Sequence, residues 1–248
     1  MSLYKRLIDI CTTRGAGYLV LIDPDCDTIE RTVSFARICE RCGVDGLLIG
    51  GSLIVSDKLN RLVKEIKNSV SIPLILFPGS GRQLSPLADG LLFLSLLSGR
   101  NPQYLIGEQV MSAMLIKSMN LEAISTAYLL IESGGVTAVE YISDTKPLPR
   151  NKPDIAAAHA VAAEYMGMKF VYLEAGSGAE NSVPESIISA VAREVSIPVI
   201  VGGGIRDPDT AREKVNAGAS FVVTGNILEK SRDEALIRSF ASAIHKSG

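Results

Sequence analysis

Short apolar runs rich in Val, Ile and Leu recur along the chain, each closed by Gly, Pro, Asp or Ser. They are YLVLID from Tyr18, GLLIGGS from Gly46, PLILFPGS from Pro73, GLLFLSLLSG from Gly90 and AISTAYLLIESGG from Ala123. Three more follow: KFVYLEAGSG from Lys169, PVIVGGGI from Pro198 and SFVVTGN from Ser220. Runs apolar at odd and even positions alike predict parallel strands covered on both faces. Between most of them stand amphipathic stretches of helical period. Asp27-Thr28 opens one that stops near Gly43, Ser56 opens another, and Asn101-Pro102 caps a third with proline at its first position. Pro153 begins a helix ended by Gly167, and Val183-Pro184 begins the next. Asp207-Pro208 opens one closed by Gly218, and SRDEALIRSFASAIHK supplies the last.

Eight strand-like runs alternating with helices predict an α/β fold, a (β/α)8 TIM barrel, as a single domain over 1–248. A doubly wound open sheet is the alternative, but G-x-G-x-x-G is missing after the first run. The link between the third and fourth runs is too short for a full helix, so one crossover is degraded. The stretch GGVTAVEYISDTKPLPRNK, 134–152, is a long insertion after the fifth strand: a lid, an oligomer contact or a plain loop.

Composition narrows the class. Hydrophobic residues make up 47% and charged residues 21%, ordinary for a soluble globular enzyme. A net charge of −2 carries no electrostatic footprint for nucleic acid. No apolar stretch is long enough to span a bilayer, and the first residues, MSLYKRLIDICTTRG, carry Asp9 and lack the apolar core of a signal peptide. A cytoplasmic location is expected. The four cysteines, Cys11, Cys26, Cys39 and Cys42, include one C-x-x-C inside the helical FARICERCG. A zinc site would need two more ligands at matched spacing, so reduced cysteines are expected.

Chemistry in a barrel sits where strands end and the following loops begin. Those ends read Asp23-Pro24-Asp25, Gly50-Gly51-Ser52, Pro78-Gly79-Ser80, Ser95 to Ser98, Glu132-Ser133-Gly134, Glu174 to Gly178, Gly202-Gly203-Gly204 and Thr224-Gly225-Asn226. None offers a lysine, which disfavours Schiff-base chemistry. Both histidines, His159 and His245, fall on helices. Carboxylates, hydroxyls and glycines remain. In the sixth strand, alternation puts Tyr172 and Glu174 on one face and Val171 and Leu173 on the other. GSG after strand six, GGGIR after strand seven and GN after strand eight expose backbone N–H groups where barrels of this kind hold a phosphate. Glycines that merely permit tight turns are the bland alternative.

Across the mouth, Asp23 and Ser52 offer oxygens on neighbouring strands. Magnesium takes one or two carboxylates, a hydroxyl and waters, with substrate phosphates completing its shell. Capping the following helix is the other role open to Asp23, and equally to Asp25 or Asp27. Two anionic handholds with Glu174 between them describe transfer of a group from a diphosphate to an alcohol. A sugar-phosphate isomerase or lyase, and a barrel that binds phosphorylated ligands without turnover, are the rivals.

YLEAGSGA, VGGGIR, TGN and LIDPD, in this order and spacing, resemble the geranylgeranylglyceryl phosphate synthase family of prenyltransferases, and PLPRNKPDIAAAHAVAAEYMG is similar to the family's segment before strand six. The similarity runs over nearly the whole chain. The GSG form of the strand-six motif resembles the family's second group. The resemblance implies sn-glycerol 1-phosphate bound by Tyr172, Leu173, Glu174, Ala175, Gly176, Ser177, Gly178, Gly203, Gly204, Gly225 and Asn226. It implies Mg2+ at Asp23 and Ser52, Glu174 as the base, and geranylgeranyl diphosphate or another polyprenyl diphosphate whose tail lies in an apolar groove. It also implies a homo-oligomer, with a hexamer as the second group's state. Where the first group carries lysines around the first aspartates, this chain has Leu21 and Cys26. Arg82 and Arg100 are then the candidates for neutralising the diphosphate.

Overall fold

The computed structural model describes residues 1–246, the side chain of Lys230 excepted. Ser247 and Gly248, the end of the expected domain, lie outside the described residues. All eight apolar runs are strands: β1 Gly17–Ile22, β2 Gly46–Gly51, β3 Leu74–Pro78, β4 Gly90–Leu96, β5 Glu122–Leu130, β6 Phe170–Glu174, β7 Val199–Gly202 and β8 Phe221–Thr224. Each pairs in parallel with the next, and β8 returns to β1 through Gly17 with Phe221 and Val20 with Thr224, closing the barrel.

Among the described residues ten α-helices accompany them: α1 Leu3–Arg14, α2 Ile29–Arg41, α3 Leu59–Lys67, α4 Glu108–Ser118, α5 Ala138–Ser143, α6 Pro153–Tyr165, α7 Glu185–Glu194, α8 Pro208–Asn216, α9 Asn226–Ser231 and α10 Glu234–Ile244. No helix joins β3 to β4, as the short link requires. Thr28, rather than an aspartate, caps α2 by accepting from the Arg31 amide. Asp207 caps α8, with Pro208 at the first position.

Three helix readings need correction. Ser56 does not open α3; its hydroxyl donates to Asp25, and the helix starts at Leu59. The helix after Asn101-Pro102 begins with a π-helical turn, Gln103–Gly107, before α4. The last stretch is two helices: Arg232 sits in the left-handed region (φ 49°), which stops α9, and Asp233 caps α10 through the Ala235 amide. His245 therefore lies one residue past a helix, not on it.

The period-2 alternation sorts the core into two layers. Outward residues such as Val20, Ile49, Leu76, Leu129 and Val171 pack against the helices. Inward residues such as Leu19, Leu48, Phe77, Tyr128, Tyr172 and Phe221 fill the barrel. Helix α1, unread in the sequence, buries Leu3 and Leu7 against this inner layer and plugs the N-terminal end. Each such side chain contributes about 1.5–3 kcal/mol. At that end buried Asp45 accepts from the Tyr18 amide at 2.7 Å, pairs with Arg14 at 2.9 Å and lies 2.8 Å from His245 Nε2. The cluster ties both ends of the chain to the barrel floor, away from the strand ends that carry the candidate chemistry.

Candidate functional site

One large cavity opens at the C-terminal mouth, enclosing about 1660 Å³ with its open mouth included. It brings together most of the expected site: Asp23, Ser52, Tyr172, Glu174, Ser177, Gly178, Gly203, Gly204, Gly225 and Asn226 all line it. Leu173 and Ala175 do not. Their side chains point outward into the helix-facing layer, as the alternation of β6 demands, so only their backbone is near the site. Gly176 is buried and gives its N–H to Glu174 Oε1 at 2.7 Å.

Glu174 ends β6 and is only 5% exposed. Burial pushes its carboxyl up to about 7, against the opposing pull of the Gly176 amide, the Tyr172 hydroxyl and the Ala175 amide. A carboxylate so placed is half-ionised near neutrality, the condition that suits a proton acceptor. The Tyr172 hydroxyl lies beside it, near enough to favour its charge, and this fully buried O–H has no hydrogen-bond partner among the described residues. A buried, unpaired hydroxyl on a cavity wall is poised for a ligand oxygen. The Tyr172 ring is held by stacking on Phe77 at 5.2 Å and Tyr128 at 5.6 Å between centroids.

The cradle beside it depends on missing side chains. Gly203 has φ 81°, and a Cβ there would strike Glu174 Oε1 and sit 2.7 Å from the Gly176 nitrogen. Gly204, at φ 69°, would put a Cβ 2.8 Å from the Ser182 nitrogen. The loop after β7 thus nests against the loop after β6 only because both residues are glycine. Asn226 Nδ2 donates to Ser177 Oγ at 3.2 Å, joining the β8 and β6 ends.

Across the mouth, Asp23 does not cap a helix. Its Oδ1 accepts the Asp25 amide at 2.8 Å, and no cationic side chain pairs with it among the described residues. Glu229 of α9, unforeseen in the sequence, also lines the cavity and accepts the Asp23 amide at 2.8 Å. Burial raises its carboxyl, and the Asp23 charge adds to the rise. Desolvation and the nearby Glu229 and Asp23 charges raise the Cys26 thiol to about 12, which disfavours its thiolate. Among the described residues no cluster of three or more His, Cys, Asp or Glu has metal-holding geometry. One unpaired carboxylate and one hydroxyl do fit magnesium, which keeps several waters and takes few protein ligands.

Arg82 and Arg100 are not on this cavity's wall. Arg100 donates to the Leu97 and Gly99 carbonyls and Arg82 is exposed. Arg206, from the GGGIR run, is there instead. His159 stays on α6, its Nδ1 2.7 Å from the Ile155 carbonyl. The insertion 134–152 is anchored: Leu148 bridges to Ile131 beside β5, and α5 turns Ala138, Val139 and Ile142 into the cavity. Beside it lie two smaller, mostly apolar pockets: one shares Phe77, Tyr128, Val139 and Ile142 with the cavity, and the next shares Pro78, Leu96 and Tyr104 with the first and reaches Leu84, Leu91 and Ile116 beside α4.

A closed (β/α)8 barrel with its cavity at the C-terminal mouth defines a TIM-barrel protein. The chain belongs to the PcrB family, whose model matches residues 8–244. A protein of Chitinophaga pinensis named geranylgeranylglyceryl phosphate synthase is 46% identical, the match covering 98% of this chain and 96% of that protein. One of the same name from Methanothermobacter thermautotrophicus is 46% identical over 86% of each chain. Among solved structures, (S)-3-O-geranylgeranylglyceryl phosphate synthase from Thermoplasma acidophilum, in complex with its substrate sn-glycerol-1-phosphate, is similar with a TM-score of 0.94 and 34% identity over 99% of each chain.

Proposed function

We propose that this chain is a geranylgeranylglyceryl phosphate synthase: a prenyltransferase joining a polyprenyl group, geranylgeranyl in the first instance, to the 3-hydroxyl of sn-glycerol 1-phosphate. The observation that carries the reading is Glu174, a buried carboxylate with its carboxyl raised to about 7, set between an unpaired tyrosine hydroxyl and a glycine cradle. Backbone N–H groups around Gly178, Gly203, Gly204 and Gly225 hold the phosphoryl group, with Ser177 and Asn226 beside them. Tyr172 donates to a glycerol oxygen. Glu174 accepts the proton of the 3-hydroxyl as that oxygen bonds to the allylic carbon, whose C–O bond to diphosphate breaks; diphosphate leaves with the bonding pair. Mg2+ held by Asp23 and Ser52 would supply charge neutralisation for the departing diphosphate.

The run of apolar pockets from the mouth to α4 supports a long prenyl tail as the second substrate's body. Its first pocket is lined by Ser52, next to the proposed cation site, which suits a diphosphate head there and a tail beyond it. Stacked Phe77, Tyr128 and Tyr172 shield the reacting carbon from water. We read the whole chain as one catalytic unit. Four free cysteines suit a cytoplasmic setting, and no described helix is long and apolar enough to cross a membrane. Exposed Val110, Met111 and Met114 on α4, with Tyr141 on α5, support a homo-oligomer, a hexamer in this reading.

Purified protein incubated with labelled sn-glycerol 1-phosphate, geranylgeranyl diphosphate and magnesium should yield an ether product of the mass of geranylgeranylglyceryl phosphate. Absence of any magnesium-dependent ether across a series of prenyl chain lengths overturns the proposal.

A further inference from the structure

The cradle is built from three loops, and the Ser177–Asn226 bond joins only two of them, those after β6 and β8. The loop after β7 is tied in by Arg206. From the loop after β7 its Nη2 donates to the Ala179 carbonyl at 2.9 Å and its Nη1 to the Glu180 carbonyl at 3.2 Å. Both carbonyls belong to the loop after β6, where Gly178 adopts a φ of 73° beside Asn226. Two donors fixed on consecutive carbonyls hold that loop at a set height over Gly203 and Gly204. The guanidinium has five N–H groups, and those not given to Ala179 and Glu180 have no partner among the described residues.

Charge gives the same side chain a second role. Asp23, Glu174 and Glu229 all line the cavity, and Arg206 is the one cationic side chain that lines it among the described residues. A phosphoryl dianion entering such a cavity meets Asp23 and Glu229 across the mouth, Glu174 at the edge of the glycine turns, and a single positive charge, Arg206, next to those turns. Backbone N–H groups offer partial charges only; a guanidinium adds a full one, in planar geometry suited to two phosphate oxygens.

Building on the glycerol phosphate reading above, we propose that Arg206 is the positioning and charge-bearing residue of the phosphate subsite. It latches the β6 loop over the cradle and offsets the phosphoryl charge, and so it sets affinity for glycerol phosphate rather than the rate of bond formation.

The test is calorimetric binding of two probes, sn-glycerol 1-phosphate and inorganic phosphate, to wild type, Arg206→Lys, Arg206→Gln and Arg206→Ala, with steady-state kinetics alongside. Arg206→Ala should weaken binding of both probes roughly 10- to 100-fold, the span of a lost charge-assisted contact. The KM for glycerol phosphate should rise by the same factor, with kcat and the KM for prenyl diphosphate within about 3-fold of wild type. Arg206→Lys keeps the charge and should recover part of the affinity. Arg206→Gln keeps a donor without charge and should recover less, which keeps the proposal testable if the alanine variant fails to fold. Phosphate affinity within 2-fold of wild type in folded Arg206→Ala or Arg206→Gln overturns the proposal, as does a parallel rise in both KM values. Wild type that binds inorganic phosphate but not sn-glycerol 1-phosphate sinks the substrate reading and leaves Arg206 to be judged on phosphate; wild type that binds neither overturns both.

Discussion

Replacing Glu174 with Gln separates what the carboxylate does for chemistry from what it costs the fold. In the folded protein its carboxyl titrates near 7, against 4.5 for an ordinary glutamate, because burial disfavours the charge. Between those values the folded state holds a proton that the unfolded chain has released. Stability therefore falls as pH rises from 4.5 through 7 and stays reduced above it. The gap corresponds to about 3 kcal/mol. Gln in its place still offers an oxygen to the Gly176 amide, and its own N–H groups face the unpaired Tyr172 hydroxyl oxygen. Glu174→Gln should thus be more stable than wild type at pH 8 by up to about 3 kcal/mol, or roughly 6–12 °C in Tm for a chain of this size. The gain should vanish at pH 4.5. Turnover should drop by roughly 10²- to 10⁴-fold, the value of a positioned base, and wild-type kcat should climb with pH to a plateau above about 7. Scanning calorimetry at pH 5 and pH 8 with parallel product assays reads both. An equal Tm shift at the two pH values refutes the buried-charge argument, and near-normal turnover removes Glu174 from proton transfer.

Gly203→Ala should lose sn-glycerol 1-phosphate affinity at least 10-fold and destabilise by about 1–3 kcal/mol, since its φ is 81° and its Cβ would collide with the Glu174 carboxylate; calorimetric titration and urea unfolding check the two effects. Asp23→Asn should raise the magnesium concentration for half-maximal rate about 10-fold and leave the KM for glycerol phosphate unchanged, since the proposed cation site then loses its one charged ligand; an unaltered magnesium titration would remove Asp23 from the cation's site. Asp45→Asn breaks the pairing of a buried carboxylate with half-exposed Arg14 and with His245 at the far end of the barrel. Unfolding free energy should fall by about 1–2 kcal/mol, with kcat at low temperature unaltered because no Asp45 contact reaches the cavity.

The barrel was legible because each strand's signal lies within the strand. Val171 and Leu173 alternate with Tyr172 and Glu174, and the same period that sends two side chains to the helices sends the other two to the barrel interior. That is why the order of residues alone puts Tyr172 and Glu174 on the inner face and the glycines just past β7 and β8 at the mouth, and why the short β3–β4 link announces a lost helix. The weaker readings share a cause as well. The break between α9 and α10 rests on one left-handed residue, Arg232, that carries no glycine or proline to mark it. The π-helical turn at Gln103 leaves the helical pattern of QYLIGEQVMSAMLIKSM intact, since a single wider turn shifts the apolar face without interrupting it.

The site's missed members are those whose partners are distant in sequence and often backbone. Glu229 reads as the fourth residue of a helix, and only the Asp23 amide, 206 positions away, gives it a place at the mouth. Val139 and Ile142 reach the cavity because α5 is held down at both flanks: Thr137 packs on Gly176, and Leu148 bridges Ile131. Arg206 is the sharpest case. In GGGIR it follows the glycines as an ordinary loop charge, whereas Arg82 and Arg100 occupy equivalent places after β3 and β4. Arg100 meets carbonyls of its own loop, Leu97 and Gly99, whereas Arg206 meets those of another, Ala179 and Glu180, which the loop after β6 presents with Gly176 and Gly178 turned left-handed. A guanidinium's role is set by the acceptors it meets, and main-chain carbonyls are the same in every residue, so no side-chain pattern could single out one arginine from the other two.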